Sequence, residues 1–432
     1  MRKRLWLAGP LSLAAIGAAM ALLAVAPNDS STTLLELPLR VSALARFASL
    51  ILLATIGLLV IDVWIAEPAY NFFPTALGVG ACVVAVLSLA VPLAIYATLV
   101  VGLLLPVGVF TFQVHRNHSV DAAVRHFAFV GLGGSLGLAS LALAANLPKD
   151  QPTTTFVLLA VVLVIAFALK LAAIPFHTHA ALLASEAPVA ALALYFGVLV
   201  PTTFLALPSI LTLSGLLPAI VQVAKVQDAL VGIGLLSAIG GALLASGAGD
   251  LRRLVVYAVI SNLGASLVGI ATFSGPGIVG AISIALVTGV CATQQLLAAG
   301  ALERAAGPDK PSARYAPLAA GAFVIGGAGM IGIPPLVGFP GHFFVELIAY
   351  ALSGPIGSAL VVASLLLLVA QLRAGIALFG GIETFRIEPR PVAGVIGAII
   401  FSALLLGGLL PDVLLRPIAA FADEFLKALN PL

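Results

Sequence analysis

The sequence predicts an all-α integral membrane protein with about 14 transmembrane helices. Three observations carry that expectation: 62% of the 432 residues are hydrophobic, only 9% are charged, and the mean hydropathy is +1.21. Polar side chains this scarce cannot coat a water-facing surface, which sets aside a disordered chain, a nucleic-acid scaffold and a cytosolic enzyme. A spanning helix takes about 20 apolar residues, so the length has room for roughly 12 to 14 spans with short loops and little extramembrane domain. The net charge of +3 and pI near 9.0 reflect a few loop cations, which bear on topology and anionic headgroups and do not point to nucleic acid.

Long apolar runs broken by Pro, Gly and charge place candidate spans at 5–27, 43–66, 74–91, 93–113, 125–146 and 154–173, then at 180–207, 218–247, 251–273, 277–302, 315–334, 341–353, 357–380 and 392–410. The basic start, Arg2-Lys3-Arg4, suits a signal peptide, but the run behind it is long and lacks a small-residue cleavage site before Pro27, so it is read as the first span. Pro175, and the stretch from Gly332 to Pro340 with Pro334 and Pro335, predict broken helices. Unwound backbone at membrane depth is tolerated only inside protein or along a hydrated cavity. Small residues at helix spacing, Gly133 with Gly137 and Ser237 with Gly241, let neighbouring helices approach closely. Loop cations at Arg40, Arg116, Lys149, Arg304, Lys310, Arg314, Arg386 and Arg390 show no bias to one side and leave the orientation unassigned. The stretch Pro417 to Leu432 carries Asp423, Glu424 and Lys427 on an amphipathic pattern and is expected along the membrane interface.

A charged side chain at the bilayer centre costs from ~2.5 to more than ~10 kcal/mol, so ionisable residues inside apolar runs are candidate functional groups. Those singled out are Lys170, Glu186, Lys225, Asp228, Glu346 and Arg373, with His177, His179 and His342, and Gln294, Gln295 and Gln371 as polar relays. Lys170 closes an apolar run five residues before Pro175; a desolvated lysine there can pass a proton to a neighbouring carboxylate or water chain. The alternative is an ammonium that snorkels to the headgroups. His177 and His179, two apart, fall on different helix faces and do not suggest a shared metal; proton exchange competes with a bond to freed backbone carbonyls. Glu186 is expected to open the next helix, where a carboxylate suits the positive end of the dipole. Lys225 with Asp228, and Asp250 with Arg253, have ion-pair spacing, and Gln294 and Gln295 suit interhelical hydrogen bonds. Cys82 and Cys291 sit in apolar stretches without a ligand cluster, so no metal or cofactor is expected in this chain.

The stretch Lys170-Leu-Ala-Ala-Ile-Pro175-Phe176-His177-Thr-His179, followed by Glu186-Ala187-Pro188, resembles the Lys-x-x-x-x-Pro-Phe-His-x-Trp and Ala-Pro blocks of the antiporter-like family. That family comprises proton-translocating membrane subunits of respiratory complex I (N, M and L), with counterparts in membrane-bound hydrogenases and Mrp antiporters. Asp250-Leu-Arg252-Arg253-Leu-Val-Val-Tyr257, Gly332-Ile-Pro334-Pro335-Leu-Val-Gly338-Phe339-Pro-Gly341-His342 and Gly407-Gly-Leu-Leu-Pro411 resemble three further blocks in the same order. The resemblance runs from about residue 40 to 411. It implies two inverted five-helix repeats with discontinuous helices, at 72–206 and 218–353, followed by C-terminal helices and tail at 357–432, all within one polytopic domain of residues 1–432.

It also implies a central row of ionisable residues for proton transfer, and here the chain departs from the pattern. The family's early Glu falls at Val101, a later Lys at Pro201, and a His and a Lys at Thr288 and Ala292; the family's Trp is His179. Lys170 matches, and His342 stands where Lys or Glu is usual. The relay candidates are therefore Lys170, His177, His342, Arg252, Gln294, Gln295 and Glu346, without a catalytic site or cofactor in the chain itself. The expected role is an antiporter-like subunit of an NADH:quinone oxidoreductase, hydrogenase or Mrp-type complex with a partly degenerate proton route; the alternative is a structural subunit that conducts nothing. Expected partners are other membrane subunits, the lipid bilayer, and protons or sodium, and the expected location is a bacterial energy-transducing inner membrane.

Overall fold

The computed structural model describes the chain except for residues 1, 28, 35, 67–70, 112–117, 149–152, 223, 308–310, 383, 387, 389–390 and 430–432, and except for the side chains of 2–5, 34, 153, 219, 222, 224 and 225. The pairing expected between Lys225 and Asp228 therefore lies outside the described residues, as do loop cations Arg116, Lys149, Lys310 and Arg390.

Helices α1 (Arg2–Val25) and α2 (Ala43–Ile65) flank a short antiparallel hairpin, β1 (Ser30–Leu34) and β2 (Leu37–Val41). There follow α3 (Phe72–Ser88), α4 (Pro92–Leu104), the single turn α5 (Val107–Phe110), α6 (Ser119–Asn146), α7 (Thr153–Lys170), α8 (Thr178–Glu186) and α9 (Val189–Leu194). A π-helical turn at Tyr195–Leu199 joins α9 to α10 (Val200–Leu213). The second half holds α11 (Leu217–Gln222), α12 (Ala224–Gly247), α13 (Leu251–Ala271), α14 (Gly275–Ala306), α15 (Pro317–Ile331), α16 (Gly338–Leu352), α17 (Gly354–Phe379), α18 (Val392–Leu409) and α19 (Asp412–Leu429).

Among the described residues ten helical stretches are long and apolar enough to cross a membrane, and three apolar helices are shorter: Phe72–Ser88, Thr154–Lys170 and Pro317–Ile331. The expected count of 14 single spans is not reproduced by length, because two apolar runs are split by prolines into helices of 9 to 18 residues around each break. The hairpin is a second departure from an all-helical reading. Its Thr-rich β1 and its Pro38 gave no apolar period; Arg40 ties it to α19 by an ion pair with Glu424 (2.7 Å) and pairs within the hairpin with Asp29 (3.0 Å).

The middle of the molecule is α14, whose residues from Gly277 to Leu302 are almost all buried. It packs against α13, α15, α16 and α19. A helix apolar all round, with no polar stripe, has to sit at the centre of the bundle. The helix α19 presents Leu414, Ile418, Ala422 and Phe425, spaced four, four and three apart, as one buried stripe. That stripe rests on α14 and α2, so the amphipathic tail expected along the membrane interface is docked on protein by its apolar face.

Two glycines set the approach of helices near the first break. A Cβ at Gly133 would stand 2.9 Å from the Ala166 carbonyl and 3.3 Å from Lys170 Nζ, and one at Gly137 would collide with the Tyr96 ring. The spacing read as a packing mark is thus what brings α6 against α4 and α7.

Candidate functional site

The helix α7 stops at Lys170 and α8 starts at Thr178, with Pro175 in the non-helical stretch between them. Proline lacks the N–H that would continue the ladder and its ring clashes with the preceding turn. The freed backbone is satisfied internally: Ile174 N donates to Ser237 Oγ of α12 at 3.0 Å, and Phe176 N to the Ala173 carbonyl. Lys170 is completely buried. Its Nζ donates to the Tyr96 hydroxyl and lies 4.2 Å from the centre of that ring, and the Tyr96 hydroxyl donates to the Gly133 carbonyl at 2.6 Å. Among the described residues no carboxylate pairs with it, so a neutral phenol from α4 holds the place of a counter-charge. Val101, on the same helix, is 55% exposed and faces away from the lysine.

Beyond the break, His177 immediately precedes α8 without a side-chain capping bond and stands edge-on to Tyr257, ring centres 6.5 Å apart. His179 is buried, its Nδ1 3.0 Å from the Phe176 carbonyl, its ring stacked on Phe129 and 5.8 Å from that of His126. Glu186 ends α8, where it was expected to open the following helix. Pro188 pushes Ala187 into an extended conformation, and helix resumes only at Val189. Arg252, at the start of α13, donates Nη1 to the Ala187 carbonyl at 3.0 Å, Nε to Glu303 Oε1 at 2.6 Å, and Nη2 to Glu303 Oε2. Its neighbour Arg253 pairs with Asp250, which also caps the helix by accepting the Arg253 N–H at 2.8 Å.

The second break runs from Ile331 to Gly338. Gly332 takes a left-handed φ of +80° with a Cβ position that His342 would crowd, Val337 N donates to the Leu404 carbonyl of α18, and α16 begins again at Gly338. His342, the fifth residue of α16, is buried with Nε2 3.1 Å from the Met330 carbonyl. The same carbonyl accepts from Asn262 Nδ2 at 2.8 Å, and that amide also donates to Thr288 Oγ1 at 2.9 Å. One turn further along α16, Glu346 accepts from Ser364 of α17 at 2.7 Å.

Gln294 Nε2 donates to the Ala322 carbonyl (2.8 Å), and Gln295 Nε2 donates to the Phe323 carbonyl (3.1 Å) and to Gln371 Oε1 (2.8 Å). They join α14 to α15 and α17 as interhelical hydrogen bonds. Arg373 donates to the Ala248 carbonyl at 2.9 Å, and Asp228 is exposed on α12.

The structure thus gathers Lys170, His177 and His179 at one break and His342 with Glu346 at the other, with Gln294 and Gln295 on the central α14. Sequence reasoning missed Tyr96, His126, Tyr195, Asn262 and Glu303. His126 and Asp62, buried near the end of α2, lie inside apolar runs and were open to the criterion that found Lys170. The tyrosines and Asn262 carry no such mark, since their roles come from contacts across 25 to 74 residues of chain.

The profile of the NADH:quinone oxidoreductase/Mrp antiporter transmembrane family matches residues 122–367, more than half of the chain. NADH-quinone oxidoreductase subunit 13 of Thermus thermophilus is 31% identical over 219 residues, covering 48% of this chain and 45% of that subunit, so the match spans about half the length of that relative. NADH-quinone oxidoreductase subunit N 2 of Acidobacterium capsulatum is 26% identical over 360 residues, 71% of this chain and 67% of its own. A chain of respiratory complex I from Thermus thermophilus with bound NADH superposes with a TM-score of 0.84 at 20% identity, over 98% of this chain and 95% of that one, which is agreement in fold. The chain is an integral membrane protein belonging to the NADH:quinone oxidoreductase/Mrp antiporter transmembrane family.

Proposed function

We propose that this chain is an antiporter-like subunit that moves protons, with sodium the alternative cation, inside a larger NADH:quinone oxidoreductase-type or Mrp-type assembly of a bacterial energy-transducing membrane. Redox cofactors belong to other subunits of that assembly. The observation that carries the reading is Lys170: an amine with no exposed surface, deep in an apolar bundle, at the end of a broken helix, and paired with a phenol in place of a carboxylate. Burying an ammonium that way is costly, so its retention argues for proton exchange. Read as inverted repeats, 72–206 and 218–353 would set Lys170 and His342 at corresponding breaks, and we assign them, with His177, as the surviving stations. Gln294, Gln295 and Glu346 would hold water between the two halves. We read Arg252 as a clamp, since its donors are engaged by Glu303 and Ala187.

Val101, Pro201, Thr288 and Ala292 cannot ionise, so water has to bridge the gaps and the route is degenerate in part. The test is proton flux in proteoliposomes holding the whole assembly, with Lys170→Ala and His342→Ala compared against the unmodified chain. Loss of coupled flux with assembly intact supports the reading. Unchanged flux in both variants, together with failed assembly when the chain is deleted, would establish a purely structural subunit instead.

A further inference from the structure

The buried histidine pair of α6 and α8 is not used by the row just described, and its hydrogen bonds fix which nitrogens are free. His126 Nε2 lies 3.1 Å from the Leu103 carbonyl and His179 Nδ1 lies 3.0 Å from the Phe176 carbonyl. A carbonyl only accepts, so each of those nitrogens carries the ring proton, and His126 Nδ1 and His179 Nε2 are left as lone pairs. Both atoms are buried without a hydrogen-bond partner among the described residues, and both side chains are wholly buried. A buried acceptor left unsatisfied costs about 1–3 kcal/mol, so two of them on rings 5.8 Å apart need an explanation.

The helix α6 serves as a ruler. Its start is marked by His118 and Asp121, 3.2 Å apart and both about two-thirds exposed. His126 lies seven residues along, ~10 Å further in at 1.5 Å per residue, and Gly133, against Lys170 Nζ, lies another ~10 Å beyond. The histidine pair is therefore midway between the open end of α6 and the buried lysine. Tyr195 spans the inner half: its ring meets the His126 ring edge-on at 4.7 Å, and its hydroxyl donates to the Lys170 carbonyl at 3.3 Å. The remaining walls are Phe110, edge-on to His126, and Phe129, stacked on His179. A stacked aromatic face favours a transient imidazolium, and among the described residues no carboxylate pairs with either ring to trap it.

We propose that His126 and His179 form a proton-accepting station on an access arm that leads from the α6 start to Lys170. The station rests on the proton-translocating reading above. Water is the carrier on both sides of it. A proton delivered from the His118 end forms an N–H bond at one of the two free nitrogens, and that bond breaks when a water on the Lys170 side takes the proton. Each ring keeps its carbonyl-bonded proton throughout and returns to its starting tautomer.

The experiment measures proton flux and its solvent deuterium isotope effect in proteoliposomes of the whole assembly. Its variants are His126→Gln, His179→Trp and Lys170→Ala. Tryptophan keeps the stack on Phe129 and an N–H but has no lone pair, so it covers the case in which the glutamine variant fails to assemble. The expected result is a fall of roughly tenfold or more in flux for His126→Gln and for His179→Trp. A raised isotope effect should accompany it, because delivery along the arm becomes limiting; a packing defect would lower flux without moving that ratio. If Lys170→Ala stops flux while both histidine variants conduct normally, the arm is overturned and the lysine reading survives. If flux ignores all three substitutions, both fall together.

Discussion

At the first break, between Lys170 and Thr178, the polar side chains are titratable and several of their atoms are free: a lysine held by one phenol, and His126, His177 and His179 each with a ring nitrogen that no described residue engages. At the second, between Ile331 and Gly338, the polar side chains are bonded to the backbone: His342 and Asn262 share the Met330 carbonyl, and Asn262 continues to Thr288. The first break uses Pro175, and the second uses Gly332 with Pro334 and Pro335, to stop a helix inside the bundle. They differ in what surrounds the stop. A region meant to exchange protons has to leave acceptors open, whereas a region that only has to hold its shape satisfies every group it buries. On that contrast the two proposed stations are held differently: the Lys170 side leaves acceptors open, whereas at the His342 side Nε2 is engaged by the Met330 carbonyl.

The largest effect expected from a single substitution concerns the clamp behind the first break. Arg252 binds Glu303 of α14 with two nitrogens and the Ala187 carbonyl, at the end of α8, with the third; the side chains are 6% and 17% exposed. Glu303→Ala leaves a buried guanidinium without its counter-charge, which costs about 3–5 kcal/mol. Thermal unfolding of the purified assembly should show it as a marked loss of stability. A drop under ~1 kcal/mol would mean that water replaces the carboxylate and that the first break is held by other contacts.

Next in size is a test of what replaced the missing carboxylate. Val101 is exposed and Tyr96 faces the lysine, so Val101→Glu should fail to restore an ion pair with Lys170 and should instead destabilise the chain by ~2.5 kcal/mol or more if it meets lipid. Measured flux should not rise. Higher flux in this variant would show that the side of α4 carrying Val101 turns toward the lysine when a charge is available.

Tyr96→Phe should cost about 1–3 kcal/mol, because it strips Lys170 Nζ and the Gly133 carbonyl of the hydroxyl that joins them. Proton flux should fall along with stability, since the lysine loses its nearest proton-exchanging neighbour. The corresponding deletion at the second break, Asn262→Ala, should lower stability by a similar ~1–3 kcal/mol but leave flux near its original value. Equal loss of flux in the two variants would erase the distinction between the halves.

Much of this architecture was readable beforehand, and the reason is physical. Apolar runs report spans directly, and Pro175 and the Gly332–Pro335 cluster interrupt two of them, so both breaks could be placed from punctuation. The ionisable residues were also visible, because a lysine or histidine inside a run of Leu, Val and Ala stands out. What could not be read was the partner of each. Tyr96 meets Lys170 across 74 residues and Arg252 meets Glu303 across 51, distances at which no local period carries information. Helix length leaves the expected count of about 14 unconfirmed for the same reason in reverse: each broken helix is too short to count alone.

The smallest effect expected is at the amide pair that joins α14 to α17. Gln295 Nε2 donates to Gln371 Oε1 at 2.8 Å, and the reciprocal Gln371 Nε2 to Gln295 Oε1 distance is 3.4 Å, so one bond is good and the other is long. Both side chains are buried, and Gln295 has a second bond to the Phe323 carbonyl, which leaves it partly satisfied when Gln371 is removed. Interhelical side-chain hydrogen bonds in membrane bundles measured by double-mutant cycles average about 0.6 kcal/mol, because the separated helices find other partners. A cycle of Gln295→Ala, Gln371→Ala and the double variant, read by thermal unfolding of the assembly, should give a coupling of about that size. If the two glutamines only hold helices together, flux is unchanged in all three. If they also hold water for the route, flux falls in each single variant by more than the coupling energy explains, and the pair takes a share in the proton path.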